Sequence, residues 1–318
     1  MSVNYASGLS EYENKGVCGL NEIFDNEENL FKKAQQLSKW ICESKHCVIY
    51  CGAGLSTAAG IPDFRGPNGV WTLEEQGKQL DSNKLQSFDR CRPTFAHRAI
   101  KAMIDNGYIK FVVSQNIDGL LLKTGIERSF ISELHGNYFL DQCVRCRRRF
   151  IRNRPSPTMG LKRTGDNCPN NGCRGYLIDT ILDWEQDLPD DELGIANEHS
   201  DRSDLAICLG TTLQIEPAGS LPLRVIKKPR NTTKKRKNDH IEMEEKNVEK
   251  QHKKEIGKLV IVNLQPTRFD KRASMVINHY IDRLMELVCT NLNLDVPKDD
   301  LDSDVTISKS SDLTEWTR

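Results

Sequence analysis

Four short apolar runs, each halted by a small or amide residue, govern what this chain can fold into. They are Cys47-Val48-Ile49-Tyr50-Cys51, Ile109-Lys110-Phe111-Val112-Val113, Leu205-Ala206-Ile207-Cys208-Leu209 and Leu259-Val260-Ile261-Val262. Runs this short and this continuous suit strands buried on both faces. Helical patterns lie between and around them. Residues 26–44 set Leu30, Ala34, Leu37 and Ile41 three and four apart; residues 93–106 open on Pro93 and stop at Gly107. Residues 273–289 are expected to close the fold as a helix with Ile277, Ile281, Leu284, Met285 and Val288 on one face. Strands alternating with helices predict an α/β fold, a Rossmann-like parallel sheet with helices on both faces.

In open parallel sheets ligands bind beyond the carboxyl ends of the strands. The strand ends here are Gly52-Ala53-Gly54, Ser114-Gln115-Asn116-Ile117-Asp118-Gly119, Gly210-Thr211-Thr212 and Asn263-Leu264-Gln265. All four offer small or amide residues to a polar ligand. The first is half of a dinucleotide fingerprint, in which glycines let the backbone approach a pyrophosphate; Thr57 stands where the third glycine would be. Taken alone, a strand-to-helix turn explains it equally well.

Eleven cysteines raise the question of disulfides or metal. Cys143, Cys146, Cys168 and Cys173 read C-x2-C, 21 residues, C-x4-C. Two short knuckles of thiolates suit tetrahedral zinc, and four protein ligands make it structural. The surrounding residues 141–178 are rich in Arg, Asn, Pro and Gly and read as an inserted zinc-binding module whose folding depends on metal. The other seven cysteines are scattered, several of them (Cys47, Cys51 and Cys208) inside apolar runs, where a thiol behaves as a small hydrophobe.

The expected organisation is an N-terminal extension over 1–21, a discontinuous catalytic domain over 22–140 and 179–293, and a disordered tail over 294–318. Residues 227–258 are expected to form a charged, disordered loop inside that domain. The loop opens with seven cations and no anion across 227–237, which reads either as a solvated surface or as a nuclear-import or DNA-phosphate contact. Across the whole chain 45 Lys and Arg balance 45 Asp and Glu, which argues against a protein built mainly to bind nucleic acid or membrane. No apolar run approaches the roughly 20 residues of a membrane span, and Met1 to Leu20 lack a signal-peptide core. An intracellular protein with no membrane partner is expected.

Gly52-Ala53-Gly54-Leu55-Ser56, with Gly60-Ile61-Pro62-Asp63-Phe64-Arg65, resembles the signature of the sirtuins, NAD-dependent protein deacylases. Gln115-Asn116-Ile117-Asp118 and Leu134-His135-Gly136-Asn137 resemble it too, and the cysteine quartet and remaining loops fall in the family's order over about residues 20–290. Arg65-Gly66-Pro67 followed by Gly69-Val70-Trp71, and Leu182-Asp183-Trp184-Glu185, resemble the nuclear branch holding sirtuins six and seven. Met1-Ser2-Val3-Asn4-Tyr5-Ala6 and Ile261-Val262-Asn263-Leu264-Gln265-Pro266-Thr267 are more similar to sirtuin six. Most sirtuins carry Phe-Gly-Glu where this chain has Asp183-Trp184-Glu185.

The resemblance implies that NAD is consumed as a co-substrate and that His135 is the general base. Asn116 and Asp118 would hold the nicotinamide ribose and carboxamide, beside Ile61 and Asp63. Gly52, Ala53, Thr57, Phe64, Arg65, Trp71, Gln115, Gly210, Thr211, Thr212, Asn263, Gln265 and Ile281 would line the rest of the NAD site. With an ordinary imidazole value near ~6.5, activity is expected to decline below about pH 6.5. Implied partners are acyl-lysine proteins such as histone tails, nucleosomes, and DNA through the basic run, in the nucleus. An NAD-dependent mono-ADP-ribosyltransferase using the same pocket, and a catalytically idle chromatin scaffold or NAD sensor, are the alternatives. The other six histidines read as packed or surface residues.

Overall fold

The four apolar runs become strands, and two further strands join them in one sheet. The computed structural model describes residues 10, 12–78, 87–226, 257–299, 304–307 and 313–318. The chain enters through α1 (Glu27–Glu43), capped by the Asn26 side chain on the Asn29 N–H, with Leu30, Ala34, Leu37 and Ile41 on its buried face. It continues through β1 (Cys47–Cys51), α2 (Val70–Glu75), α3 (Phe95–Asp105), β2 (Ile109–Ser114), α4 (Leu120–Lys123) and β3 (Ile131–Glu133). A second group follows: β4 (Leu140–Cys143), β5 (Arg149–Arg152), β6 (Arg163–Asn167) and β7 (Tyr176–Asp179). Then come α5 (Asp190–Arg202), β8 (Leu205–Leu209), β9 (Lys258–Val262), β10 (Met275–Ile277), α6 (Ile281–Asn291) and β11 (Leu313–Glu315).

The first sheet runs β10-β9-β8-β1-β2-β3 with every neighbouring pair parallel, the Rossmann-like α/β architecture that the alternation predicts. Every residue of β1 and β8 is buried, and apolar clusters lie on both faces of the sheet. Each fully buried aliphatic or aromatic side chain contributes roughly 1.5–3 kcal/mol. From β1 the chain winds outward through β2 to β3, then returns to β8 on the other side of β1. Loops leaving β1 and β8 therefore diverge, which opens a crevice at their carboxyl ends.

The second sheet is antiparallel, in the order β11-β5-β4-β7-β6. It spans Leu140 to Asp179, with one strand from the far end of the chain.

Two expectations fail. Residues 273–289 are not one helix, because Met275–Ile277 forms β10 alongside β9 before α6 begins at Ile281. Ile277 and Ile281 stand four apart and mimic a helical face, although Ile277 belongs to the sheet. The tail is not wholly unstructured either: Leu313–Glu315 pairs with β5 and Trp316 is buried. A short segment of low apolar content is ordered here by a strand edge far away in sequence. The cationic run 227–237 lies outside the described residues. Among the described residues no helix is long and apolar enough to cross a membrane.

Candidate active site

A cleft of about 300 Å³ opens where the strand-end loops of the first sheet face the connection returning from the second. Gly52 and Ala53 reach it from β1, Gln115, Asn116 and Asp118 from β2, and His135 from β3. Gly210, Thr211 and Thr212 arrive from β8, and Asn263 and Gln265 from β9. Ile61, Asp63, Phe64, Arg65 and Trp71 complete the near wall. Thr57 and Ile281 do not line the cleft. Thr57 is exposed with its hydroxyl 3.2 Å from the Gly54 carbonyl, and Ile281 packs against the main core at the start of α6.

The glycines serve close packing between the two diverging loops. A Cβ on Gly52 would lie 2.7 Å from the Gly210 carbonyl oxygen, and one on Gly54 would lie 2.8 Å from the Gly210 Cα. The Gly52 and Gly54 N–H groups donate to the Leu209 and Gly210 carbonyls at 3.0 and 2.9 Å. The bare Cα atoms let the two loops lie directly against each other, with the Gln115 and Thr211 side chains 3.4 Å apart beside them.

Beyond β2, Asp118 is buried and accepts from the Ser56 hydroxyl at 2.6 Å and from the Leu120 N–H at 2.8 Å. Burial raises its pKa, and these two bonds oppose the rise. The Ser56 oxygen lies 3.4 Å from His97 Nε2. His97 is fully buried, and its Nδ1 accepts from the Thr94 N–H at 3.3 Å, so its one proton sits on Nε2, facing Ser56. Desolvation pushes the His97 pKa down to about 3, so it stays neutral. The result is a directed line of hydrogen bonds from His97 through Ser56 to Asp118. Asn116 joins it, with its amide donating to the Gly52 carbonyl at 3.0 Å and lying 3.4 Å from the Ser56 oxygen. Sequence reasoning left His97 as a packed histidine. The signal it carried was local only, the capping box with Thr94 at the head of α3.

His135 follows β3 and is half-buried in the cleft wall. Its Nδ1 lies 3.0 Å from the Gln115 carbonyl oxygen. A carbonyl only accepts, so Nδ1 carries the proton and Nε2 keeps its lone pair. Desolvation lowers the pKa, and the bond to Gln115 partly opposes the fall. The imidazole is thus a neutral base of fixed tautomer, with its free nitrogen available to a substrate proton.

Tyr12 and Trp184, outside the sequence-based set, join Phe64 and Trp71 in an aromatic wall. Tyr12 stacks on Trp184 at 5.3 Å, and Trp184 meets Trp71 at 5.2 Å and Phe64 at 5.8 Å. Ile181, Leu182 and Asp183 lie in the same stretch of wall. The Arg65 guanidinium lies 4.5 Å from the Trp71 ring centroid and donates to the Lys15 carbonyl at 2.7 Å, which supplies the partners that its burial demands. Burial lowers its pKa and raises that of Asp63, which accepts from the Gly66 N–H at 3.1 Å. The Gln265 amide donates to the Leu20 and Arg65 carbonyls at 2.6 and 3.0 Å, so it ties the N-terminal strap to this wall.

In the second sheet the four sulfurs of Cys143, Cys146, Cys168 and Cys173 lie within 4.8 Å of one another. Cys143 and Cys173 are 3.6 Å apart, as are Cys146 and Cys168. Tetrahedral zinc with sulfurs near 2.3 Å needs sulfur separations of roughly 3.8 Å. The Arg145 and Cys146 N–H groups point at the Cys143 sulfur from 3.4 Å, as suits a thiolate. The residues fit a structural zinc with no open coordination position.

Comparison with known proteins agrees with this geometry. The model of the Sir2 family matches residues 52–217. NAD-dependent protein deacetylase Sirt6 of Drosophila melanogaster is 45% identical, over 100% of this chain and 92% of the fly protein. NAD-dependent protein deacetylase sirtuin-7 of Homo sapiens is 32% identical, over 87% of this chain and 64% of the human protein. A solved Sir2 structure with a deacetylated p53 peptide and 3'-O-acetyl ADP ribose superposes with a TM-score of 0.56 and 26% identity, covering 82% of this chain and 99% of that one. With its parallel sheet, its cysteine quartet and a cleft built on the matched motifs, the chain belongs to the Sir2 family, in the branch of Sirt6 and sirtuin-7.

Proposed function

We infer that this chain is an NAD-dependent protein-lysine deacetylase that releases nicotinamide and transfers the acyl group to ADP-ribose. The observation that carries this is His135, with Nδ1 held by the Gln115 carbonyl and Nε2 left free in a cleft shared with Asn116 and Asp118. NAD brings a cationic leaving group whose departure needs no acid, so even a weak nucleophile such as an acyl-lysine carbonyl oxygen suffices when held in line. Asn116 and the His97–Ser56–Asp118 line fix the end of the cleft where the carboxamide and ribose would lie. His135 Nε2 takes a proton from a ribose hydroxyl, and the oxygen so freed bonds to the acyl carbon. The bond from that carbon to the lysine nitrogen then breaks so that the protonated amine leaves, and water supplies the oxygen that completes acyl-ADP-ribose. The cysteine quartet lies outside the cleft lining and acts through folding alone.

Finer features of the substrate follow from the wall and the charge pattern. Tyr12, Phe64, Trp71 and Trp184 give the cleft an apolar side suited to a long acyl chain as well as to acetyl. The seven cations of 227–237 suit phosphate-rich partners, which supports chromatin as the setting, histone tails as substrates and the nucleus as the location. The test is incubation with NAD and either acetyl- or myristoyl-lysine histone peptide, with products identified by mass. The expected products are free lysine peptide, nicotinamide and acyl-ADP-ribose with either peptide. ADP-ribose attached to the protein or peptide, without acyl-ADP-ribose, would instead indicate transfer to protein.

A further inference from the structure

Among the described residues β3 is the last strand of the parallel sheet and pairs only with β2. An edge strand leaves a row of backbone donors and acceptors open. Here two side chains close that row. The Ile131 carbonyl accepts from the Arg318 guanidinium at 3.1 Å, and the Glu133 N–H donates to the Glu192 carboxylate at 3.1 Å. Arg318 and Glu192 are themselves paired at 2.9 Å. His135 stands two residues beyond Glu133, so this pair holds the strand that delivers the base.

The same short segment completes the other sheet. β11 pairs antiparallel with β5, and the Trp316 N–H donates to the Arg149 carbonyl at 2.9 Å. The Trp316 indole is buried in the main core, with the Arg128 guanidinium 5.6 Å from its centroid. Six residues thus cover one edge of each sheet. Glu192, 1% exposed, gathers the junction by also pairing with Arg128 and with Arg149 of β5.

We propose that residues 313–318 are a brace for catalysis, in which Arg318 is a positioning residue that keeps β3, and through it His135, in place against the zinc-bearing sheet. The connection from β3 to β4 carries His135 from one sheet to the other, so a shift between the sheets moves the base. A base displaced by an ångström or less loses in-line geometry while the site stays otherwise intact. When Arg318 is replaced, Glu192 keeps Arg128 and Arg149 and remains paired, so the fold survives. What disappears is the ion pair of Arg318 with Glu192 and its donation to the Ile131 and Arg128 carbonyls.

The inference rests on the deacetylase function inferred above, and the test separates the two. Full-length Arg318→Gln and Trp316→Ala proteins are compared with the unsubstituted chain in two assays. One is deacetylation of an acetyl-lysine peptide, and the other is exchange of labelled nicotinamide into NAD in the presence of that peptide. Nicotinamide leaves before His135 takes its proton, so a misplaced base slows deacetylation selectively. The expected result is a kcat for deacetylation down about tenfold, with nicotinamide exchange and the KM for NAD within about twofold and zinc retained. Equal loss of both activities, or loss of neither, overturns the brace. An unsubstituted chain that neither exchanges nicotinamide nor deacetylates overturns the functional assignment and the brace with it.

Discussion

The Ser56 hydroxyl donates to the Asp118 carboxylate at 2.6 Å, in a pocket where both residues are buried. Replacing Ser56 with alanine leaves Asp118 with the Leu120 N–H and without the link to His97. An unsatisfied buried acceptor costs about 1–3 kcal/mol. Ser56→Ala is expected to remain folded, since the other core contacts stay. Its kcat/KM for NAD should drop by about 10-fold or more, as one charge-assisted hydrogen bond is worth roughly 1.5–3 kcal/mol. Steady-state kinetics beside a urea unfolding curve measures both, and unchanged kcat/KM would remove Ser56 from the site.

For His135, the structure changes the expected pH profile. Desolvation disfavours the imidazolium and sets the folded pKa below the ordinary value. The neutral base therefore persists as pH falls through about 6.5, the ordinary histidine value. The acid limb of the deacetylation rate should lie lower than that, and His135→Ala should lower turnover by about 10²–10⁴-fold while NAD still binds. A titration of kcat/KM from pH 5 to 8, as the chosen assay range, checks the limb. Near wild-type turnover in His135→Ala would falsify the assignment.

One zinc per chain is expected, and Cys143→Ala or Cys168→Ala should cost both the metal and soluble protein. The knuckles at Cys143–Cys146 and Cys168–Cys173 sit in a sheet whose own apolar cluster, among the described residues, has only Phe150 and Leu177 buried beside Cys143 and Cys168. Such a core is small, and metal binding of about 10–16 kcal/mol is comparable with the stability of a whole domain. Metal analysis with circular dichroism under chelation tests this. A metal-free protein that stays folded and active contradicts it.

Nuclear retention should depend on the cationic run. Changing Lys234, Lys235, Arg236 and Lys237 to alanine removes four of its seven charges. The variant should move towards the cytoplasm, and its affinity for nucleosomes should become less steeply salt-dependent. Unchanged distribution together with an unchanged salt slope would make the run an ordinary solvated surface.

Local pattern accounts for what could be read in advance. β1, β2, β8 and β9 are continuous apolar runs because both faces of the sheet are covered, and their ends hold motifs contiguous in sequence. The cysteine knuckles are likewise local. β10 was hidden because Met275, Val276 and Ile277 continue into a helical spacing with Ile281. His97 meets Ser56 across 41 residues of chain, and Tyr12 stacks on Trp184 from a distant part of the sequence. Neither pairing leaves a periodic trace. Arg318 and Trp316 are single residues in a polar tail, and only the edges of two distant sheets give them a place.

The passage from the first sheet to the second and the passage back are stitched together. The Leu182 N–H donates to the His135 carbonyl at 3.1 Å, and the Thr180 hydroxyl bridges Asn137 and Leu140. Gly136, at φ +88°, is pressed so closely that a Cβ there would lie 1.9 Å from the Thr180 carbonyl oxygen. Bending at this crossover would have to break several buried hydrogen bonds at once, each about 1 kcal/mol net and more if left unmade. Any opening of the cleft must therefore pivot elsewhere. The proton acceptor and the facing wall travel as one rigid block, and substrate entry cannot separate them.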